Sequence, residues 1–442
     1  VDSKRTDRDH RCQEDRDLRV PMERYGQSRH HGVRYPHLAR VHSLYPLTDP
    51  KLASPGRWVM DRVDTLVALG PDSLHIELSE PFAPFLSLLA MPYASVVYAR
   101  DGVPNLATAP IGSGPFQFHQ WHYGERLVLH ANPRYWRSDA QGRPLPHIDG
   151  VAVSFIPDAQ SAFLEYLLGH FELLPNLDPS FKDELLDKEG QLQPTYQAGH
   201  RLLRSPFLNT EYLVINAESA LDRNLRWALN AGIDRQLMIS SLRNGVGVPA
   251  LGGFIPLGLP EHQPALGIAY APDSVRKLLA TYETLPDLTI TTVSNYRDLC
   301  EFVQGSMSAL GWELGVEVVP SATLRTEKSK GSLSLFRASW MADYPDAENY
   351  AMLFISDYCA PSGPNYSRYR NPQFDDLYEA IVTLPYGRER SAALRAADSL
   401  LLHDAAMVPL FYDEVLRVVP QHIVGLQTNA LNALMLEEVE RW

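Results

Sequence analysis

Beyond residue 44 the chain switches repeatedly between two hydrophobic periods. Residues 73–78 (SLHIEL) carry apolar side chains at alternate positions, the two-residue repeat of a strand with one buried face. The next stretch, 81–91 (PFAPFLSLLAM), is almost wholly apolar and opens on a proline, which suits the first turn of a helix. Residues 126–130 (RLVLH) and 147–157 (HIDGVAVSFIP) predict strands around the turn 132–136 (NPRYW), and 161–168 (SAFLEYLL) predicts a short helix. Further strands are predicted at 171–174 and 211–216 (EYLVIN). Helices follow at 222–233 and 234–242, each opened by an aspartate, Asp222 or Asp234, whose carboxylate can accept from an otherwise unpaired N–H of the first turn. From there helix and strand alternate: 273–279 helical, 288–293 extended, 297–310 helical, 316–319 and 333–338 extended, 374–383 and 388–404 helical, 407–419 extended. That rhythm defines an α/β chain with more than one sheet.

At 442 residues the chain exceeds one hydrophobic core and should divide into two or three domains, for which 45% apolar residues provide material. Its charge, −13, with no basic stripe outside the N-terminal segment, argues against nucleic acid or an anionic membrane as partner. No apolar run reaches the roughly 18 residues of a membrane span, and no basic-then-apolar export leader opens the chain. Residues 1–40 hold ten Lys/Arg, seven Asp/Glu and four His without helical or strand period, which predicts a disordered start. Cys12, Cys300 and Cys359 are far apart, match no metal spacing and allow one disulfide at most.

The glycines of 110–118 (PIGSGPFQF) lead into a strand with no Lys-Ser/Thr and no helix, so Gly112 and Gly114 read as a turn rather than a phosphate loop, and Ser113 is not in a nucleophile elbow. His30, His31, His37 and His42 fall in the segment with no fixed geometry, and His119, His122 and His130 flank a predicted strand as surface or packing residues. No metal, cofactor or catalytic constellation emerges. The concentrated chemistry lies at 336–350 (FRASWMADYPDAENY), where an extended run ends in Arg337, Trp340 and Asp343. A fixed cation, a large rigid apolar face and an acid able to accept from an ammonium group are parts for holding a zwitterion. A structural ion pair and a core tryptophan are the plainer alternative.

The order of the segments ASPG, SEPFAPFL, PIGSGPFQF, NPRYW, LPHIDGVAV, LRWALNAGIDR, SWMADYPDAENY and MVPLFY resembles that of the family 5 extracytoplasmic solute-binding proteins, the oligopeptide- and dipeptide-binding components of ABC importers. The resemblance runs from about residue 44 to the C terminus. It implies a two-lobed α/β clamp of the large type II periplasmic-binding-protein class, with an extra small domain, closing on a ligand between the lobes. Residues 1–44 would be a disordered or aberrant start, 45–112 a partial small domain, 113–215 with 413–442 the first lobe and 216–412 the second. It further implies that the family's opening segment is absent or replaced here, and that His42-Ser43 stands where relatives carry Tyr-Ser.

In peptide-binding relatives the aspartate of the W-x-A-D motif receives the ligand's α-amino group, and that match falls on Asp343. Arg337, Trp340, Met341 and Ala342 match positions lining the same site. The implied protein is a monomer that binds a short peptide, needs no cofactor, and works with membrane permease subunits in an extracytoplasmic location, the lipid anchoring of a longer form being left open. Another solute on the same fold (a nickel chelate, a sugar, an opine-like compound) or a non-exported fragment remain the alternatives, and an enzyme stands last.

Overall fold

The hydrophobic alternation resolves into four β-sheets in the computed structural model, which describes residues 17–19, 38–70, 73–97, 108–174 and 181–442. The chain divides into two compact units. One comprises the sequence up to Leu174 together with Val419–Gln427 and Leu434–Trp442; the other comprises Pro175–Val418 and Thr428–Ala433.

In the first unit, β1 (Asp17–Arg19), β2 (Val63–Gly70) and β3 (Ser73–Leu78) form an antiparallel sheet in the order β1-β3-β2. The strand predicted from SLHIEL is β3, and its inward residues Ile76 and Leu78 are each 2% exposed. β4 (Phe116–His122), β5 (Arg126–Ala131) and β6 (Gly150–Ser154) form a second antiparallel meander. The helix expected over 81–91 is shorter, Phe85–Leu89 followed by a 3-10 turn at Pro92–Ala94, because Pro84 and Pro92 bound it. Asp158 caps the helix Ala159–Leu167 by accepting from Ser161 N at 2.7 Å. Residues 171–174, predicted extended, join no strand. Most of the segment expected to be disordered lies outside the described residues, including His30, His31 and His37. Within it, Asp17–Arg19 are paired with β3 and the helix Leu38–Thr48 begins.

The second unit is built on a six-stranded mixed sheet of β7 (His200–Ile215), β8 (Val248–Pro249), β9 (Leu288–Thr292), β10 (Leu314–Val318), β11 (Leu335–Met341) and β12 (Met407–Pro420), in the order β10-β9-β11-β7-β12-β8. β9 is parallel to β10 and β11, whereas β11 is antiparallel to β7. β7 is far longer than the EYLVIN run that announced it, because its first half is only half-buried and its apolar pattern weak. The central strands bury Leu213, Ile290 and Leu335 against Leu229, Val275, Val303 and Met307 of the flanking helices. Each such side chain, fully withdrawn from water, contributes roughly 1.5–3 kcal/mol.

Two of those helices are capped as their sequences dictate. Asp222 accepts from Leu225 N at 2.9 Å and Asp234 from Leu237 N at 3.0 Å. Gly232, after the first of them, faces Met307 so closely that a Cβ would lie 2.7 Å from its Sδ. The small pair β13 (Ile423–Val424) and β14 (Glu440–Arg441) returns to the first unit. The lobe boundary expected at 215/216 therefore differs from the unit boundary at 174/175, which assigns all of β7 to the second unit.

Candidate functional site

The site motif occupies β11 and the turn that leaves it. Register opposite β7 pairs Arg337 with Leu213, Ser339 with Glu211 and Met341 with Asn209, so these side chains share one face of the sheet; Phe336, Ala338 and Trp340, opposite Val214, Tyr212 and Thr210, share the other. On the first face Arg337 is ion-paired through Nη2 with Glu211, its diagonal neighbour, and its guanidinium lies 3.1 Å from the centroid of the Tyr296 ring. Both charged side chains are buried, Arg337 to 9% and Glu211 to 3% exposure. Burial pushes the Glu211 carboxyl above its usual range while the Arg337 charge pulls it back.

Arg337 and Asp343, grouped in the motif, are therefore not an ion pair. The partner of the arginine comes from β7, a residue 126 positions earlier in the chain, and was invisible in the motif. Asp346, three residues on, is bonded to Arg390 at 2.9 Å and to the Tyr386 hydroxyl at 2.7 Å.

Glu211 and Tyr296 also line a cavity of about 480 Å³ within the second unit, together with Phe207, Phe411, Arg243 and Asp413. Arg243 pairs with Asp413 at 2.7 Å and covers the Phe411 ring at 4.2 Å. Asn209 Nδ2 reaches both Glu211 and Asp413 at 3.3 Å, so the acids on this wall are neutralised or bridged before any ligand arrives.

At the end of β11 the ladder continues for one bond, Ala342 N donating to Leu208 O at 2.8 Å, and the chain then turns. Met341 is exposed and Ala342 buried. On a regular strand Trp340 and Asp343 would point to opposite faces. Here the Trp340 indole Nε1–H and the Asp343 backbone N–H both donate to Asn349 Oδ1, each at 3.0 Å, so the two positions converge on one oxygen. Trp340 is half-buried. Asp343 is exposed and has no ion pair among the described residues, yet neighbouring protein removes enough water to push its carboxyl upward, against a hydrogen bond from the Asn349 side chain that pulls it down.

Asn349 and Glu211 are the residues the motif reading missed. A buried polar residue inside an otherwise apolar run (EYLVIN for Glu211) was the one local sign available. Elsewhere, the turn at Gly112 and Gly114 leaves room for a side chain at either glycine, the Gly114 carbonyl accepts from Asn132 Nδ2 at 2.8 Å, and β4 follows. His119 and His130 stack at 3.9 Å on neighbouring strands, the packing role expected of them. Cys300 and Cys359 are free thiols in the interior. Among the described residues there is no group of three or more His, Cys, Asp or Glu placed to hold a metal ion, and no helix long and apolar enough to cross a membrane.

Two compact α/β units, the larger built on a mixed six-stranded sheet, are the architecture of the two-lobed periplasmic-binding-protein fold. Residues 39–361 match the family model for bacterial extracellular solute-binding proteins, family 5, and the chain belongs to that family. It is similar to a probable di/tripeptide-binding protein 5 of Pseudomonas aeruginosa, 25% identical over 377 residues, covering 81% of this chain and 69% of the relative. It is also similar to the probable D,D-dipeptide-binding periplasmic protein DdpA of Escherichia coli, 27% identical over 384 residues, covering 83% and 70%. Among solved structures, a putative peptide binding protein AppA from Clostridium difficile superposes with a TM-score of 0.80 at 16% identity, covering 98% of this chain and 90% of the other.

Proposed function

We propose that this protein captures short peptides through their free N terminus and delivers them to the permease of an ABC importer outside the cytoplasmic membrane, acting as a monomer without a cofactor. One observation carries the reading: Asp343 is an exposed carboxylate with no cationic partner among the described residues, set beside the half-buried indole of Trp340 by a shared anchor. An ammonium group is the complement such an acid lacks, and an aromatic face next to it receives the adjoining backbone or side chain. Arg337, already paired with Glu211, enters this reading as a neighbour on the same strand rather than as a free cation, with Met341 and Ala342 at the strand end. The names of the peptide-binding relatives point the same way.

Titration calorimetry with di- to pentapeptides, against sugars and metal chelates as controls, tests the ligand class. Asp343→Asn should weaken peptide binding by about 1.5–3 kcal/mol, the worth of a hydrogen bond to a charged group, and N-acetylated peptides should bind the wild type poorly. Equal affinity for acetylated and free peptides would remove the amine-acceptor role.

A further inference from the structure

A carbonyl oxygen has two acceptor sites, and in Asn349 both are taken by donors three residues apart in the chain. One donor is a side chain of β11 and the other a backbone N–H just beyond its end at Met341, so the shared oxygen ties the last turn of chain to the strand it leaves. Asn349 is fully buried, and no water from bulk can take over its role if the amide is removed.

The residue is itself held firmly. It lies on the short helical turn Glu348–Ala351. Glu348 accepts from the hydroxyls of Tyr344 and Tyr378. Asp346, just before the turn, accepts from Arg390 Nη2, from the Tyr386 hydroxyl and from Glu348 N at 2.9, 2.7 and 2.8 Å. The turn is thereby fastened to the helices Pro372–Thr383 and Arg388–His403. Side chains locked by such surrounding bonds can present a recognition group without paying for its ordering when ligand binds.

We propose that Asn349 is a positioning residue for amine recognition: by accepting both the Trp340 indole N–H and the Asp343 backbone N–H, it presets the acid and the aromatic face as one unit before ligand arrives. The proposal rests on the reading of Asp343 as the amine acceptor. The hydrogen bond from the Asn349 amide toward the Asp343 carboxyl, which offsets the effect of burial, works in the same sense by favouring the charged acid.

The test is made on the full chain without ligand first. With the Trp340 indole resonance assigned through Trp340→Phe, hydrogen exchange of the Trp340 Nε1–H and the Asp343 N–H is measured by NMR; both should exchange slowly in the wild type and fast in Asn349→Leu. Asn349→Asp, which retains an acceptor oxygen, should restore slow exchange. In calorimetry Asn349→Leu should then lose roughly tenfold or more in affinity for trialanine while its affinity for N-acetyl-trialanine stays within about threefold of wild type. Unprotected N–H groups in the wild type, or equal losses for the two peptides, overturn the proposal.

Should Asn349→Leu fail to fold, Asn349→Ala removes the same acceptor with a smaller side chain and should still speed exchange at the Asp343 N–H; unchanged exchange there also overturns it. If the wild type binds both peptides alike, the amine-acceptor reading fails by itself, and the exchange rates still decide whether Asn349 sets the corner.

Discussion

Asp398 shows how strongly one buried residue can couple this protein to pH. Its carboxylate is 2% exposed, accepts from Phe254 N at 2.8 Å and Ile255 N at 3.4 Å, and faces Gly253, where φ is +97° and a Cβ would lie 2.3 Å from Oδ2. With two amide donors and no cation against it, desolvation wins, and the acid is pushed up to about 7. A carboxyl whose folded-state value exceeds its unfolded one binds more protons when folded. Its contribution to stability is therefore complete below about pH 4 and is lost as pH rises toward 7, a change on the order of a few kcal/mol. Glu211 and Glu348 are shifted in the same direction, so the informative quantity is a difference. Thermal melts from pH 4.5 to 8 should show a steeper decline of Tm with pH in the wild type than in Asp398→Asn; parallel declines would exclude Asp398 as the source.

At the scale of elements, the pairing of β11 with β7 decides what the motif residues can do. Arg337 and Glu211 are opposite charges removed together from water, and removing one leaves the other buried and unpaired, at a cost of about 3–5 kcal/mol. Glu211→Ala should accordingly lower the denaturant midpoint sharply, whereas Glu211→Leu combined with Arg337→Met should recover much of the loss; additive losses in the double variant would show that the ion pair is not the coupling. The helix starts behave locally by contrast. Asp222→Ala and Asp234→Ala should each cost about 1 kcal/mol in urea melts, since each removes one capping bond to a backbone N–H. Those caps were legible in the sequence because donor and acceptor lie three residues apart, while the partner of Arg337 was not, because nothing in a local pattern states which strand will lie alongside.

For the molecule as a whole, the meander of the first unit presents an apolar face to solvent. Register places Trp121, Leu127 and Val153 side by side on β4, β5 and β6, the Tyr123 ring lies 5.6 Å from that of Trp121, and Phe155 follows two residues after Val153. Trp121 is 43% exposed, Tyr123 90% and Phe155 43%. A contiguous apolar face of this kind binds amphipathic dyes. Anilinonaphthalene sulfonate should fluoresce with the native protein, and Trp121→Ser with Phe155→Ser should reduce that signal without lowering Tm; an unchanged signal would place the dye elsewhere. Ligand should act in the opposite sense, raising Tm with the logarithm of free peptide concentration, by the equivalent of about 2.7 kcal/mol at a hundredfold excess over Kd, with no comparable shift from the N-acetylated form.

What the amino-acid sequence determined by itself was whatever depends on near neighbours or on the order of segments. The strand at β3, the capped helices after Asp222 and Asp234, the alternation from 273 to 419 and the family are all of this kind, because a two- or 3.6-residue period and a capping bond act within a few positions. The length of β7 escaped that reading, since its first half is only half-buried and carries little pattern. Only the tertiary structure decided how the site is assembled. Trp340 and Asp343 were placed on opposite faces by strand geometry, and a buried asparagine on the following turn, which a tyrosine and an arginine from two later helices fasten, brings them to one oxygen. Arg337 and Asp343 were placed together by proximity in the chain, and a glutamate from a distant strand separates their roles. Burial explains both outcomes: once water is excluded, each polar group must take the partner the packing offers, and sequence distance has no say in which one that is.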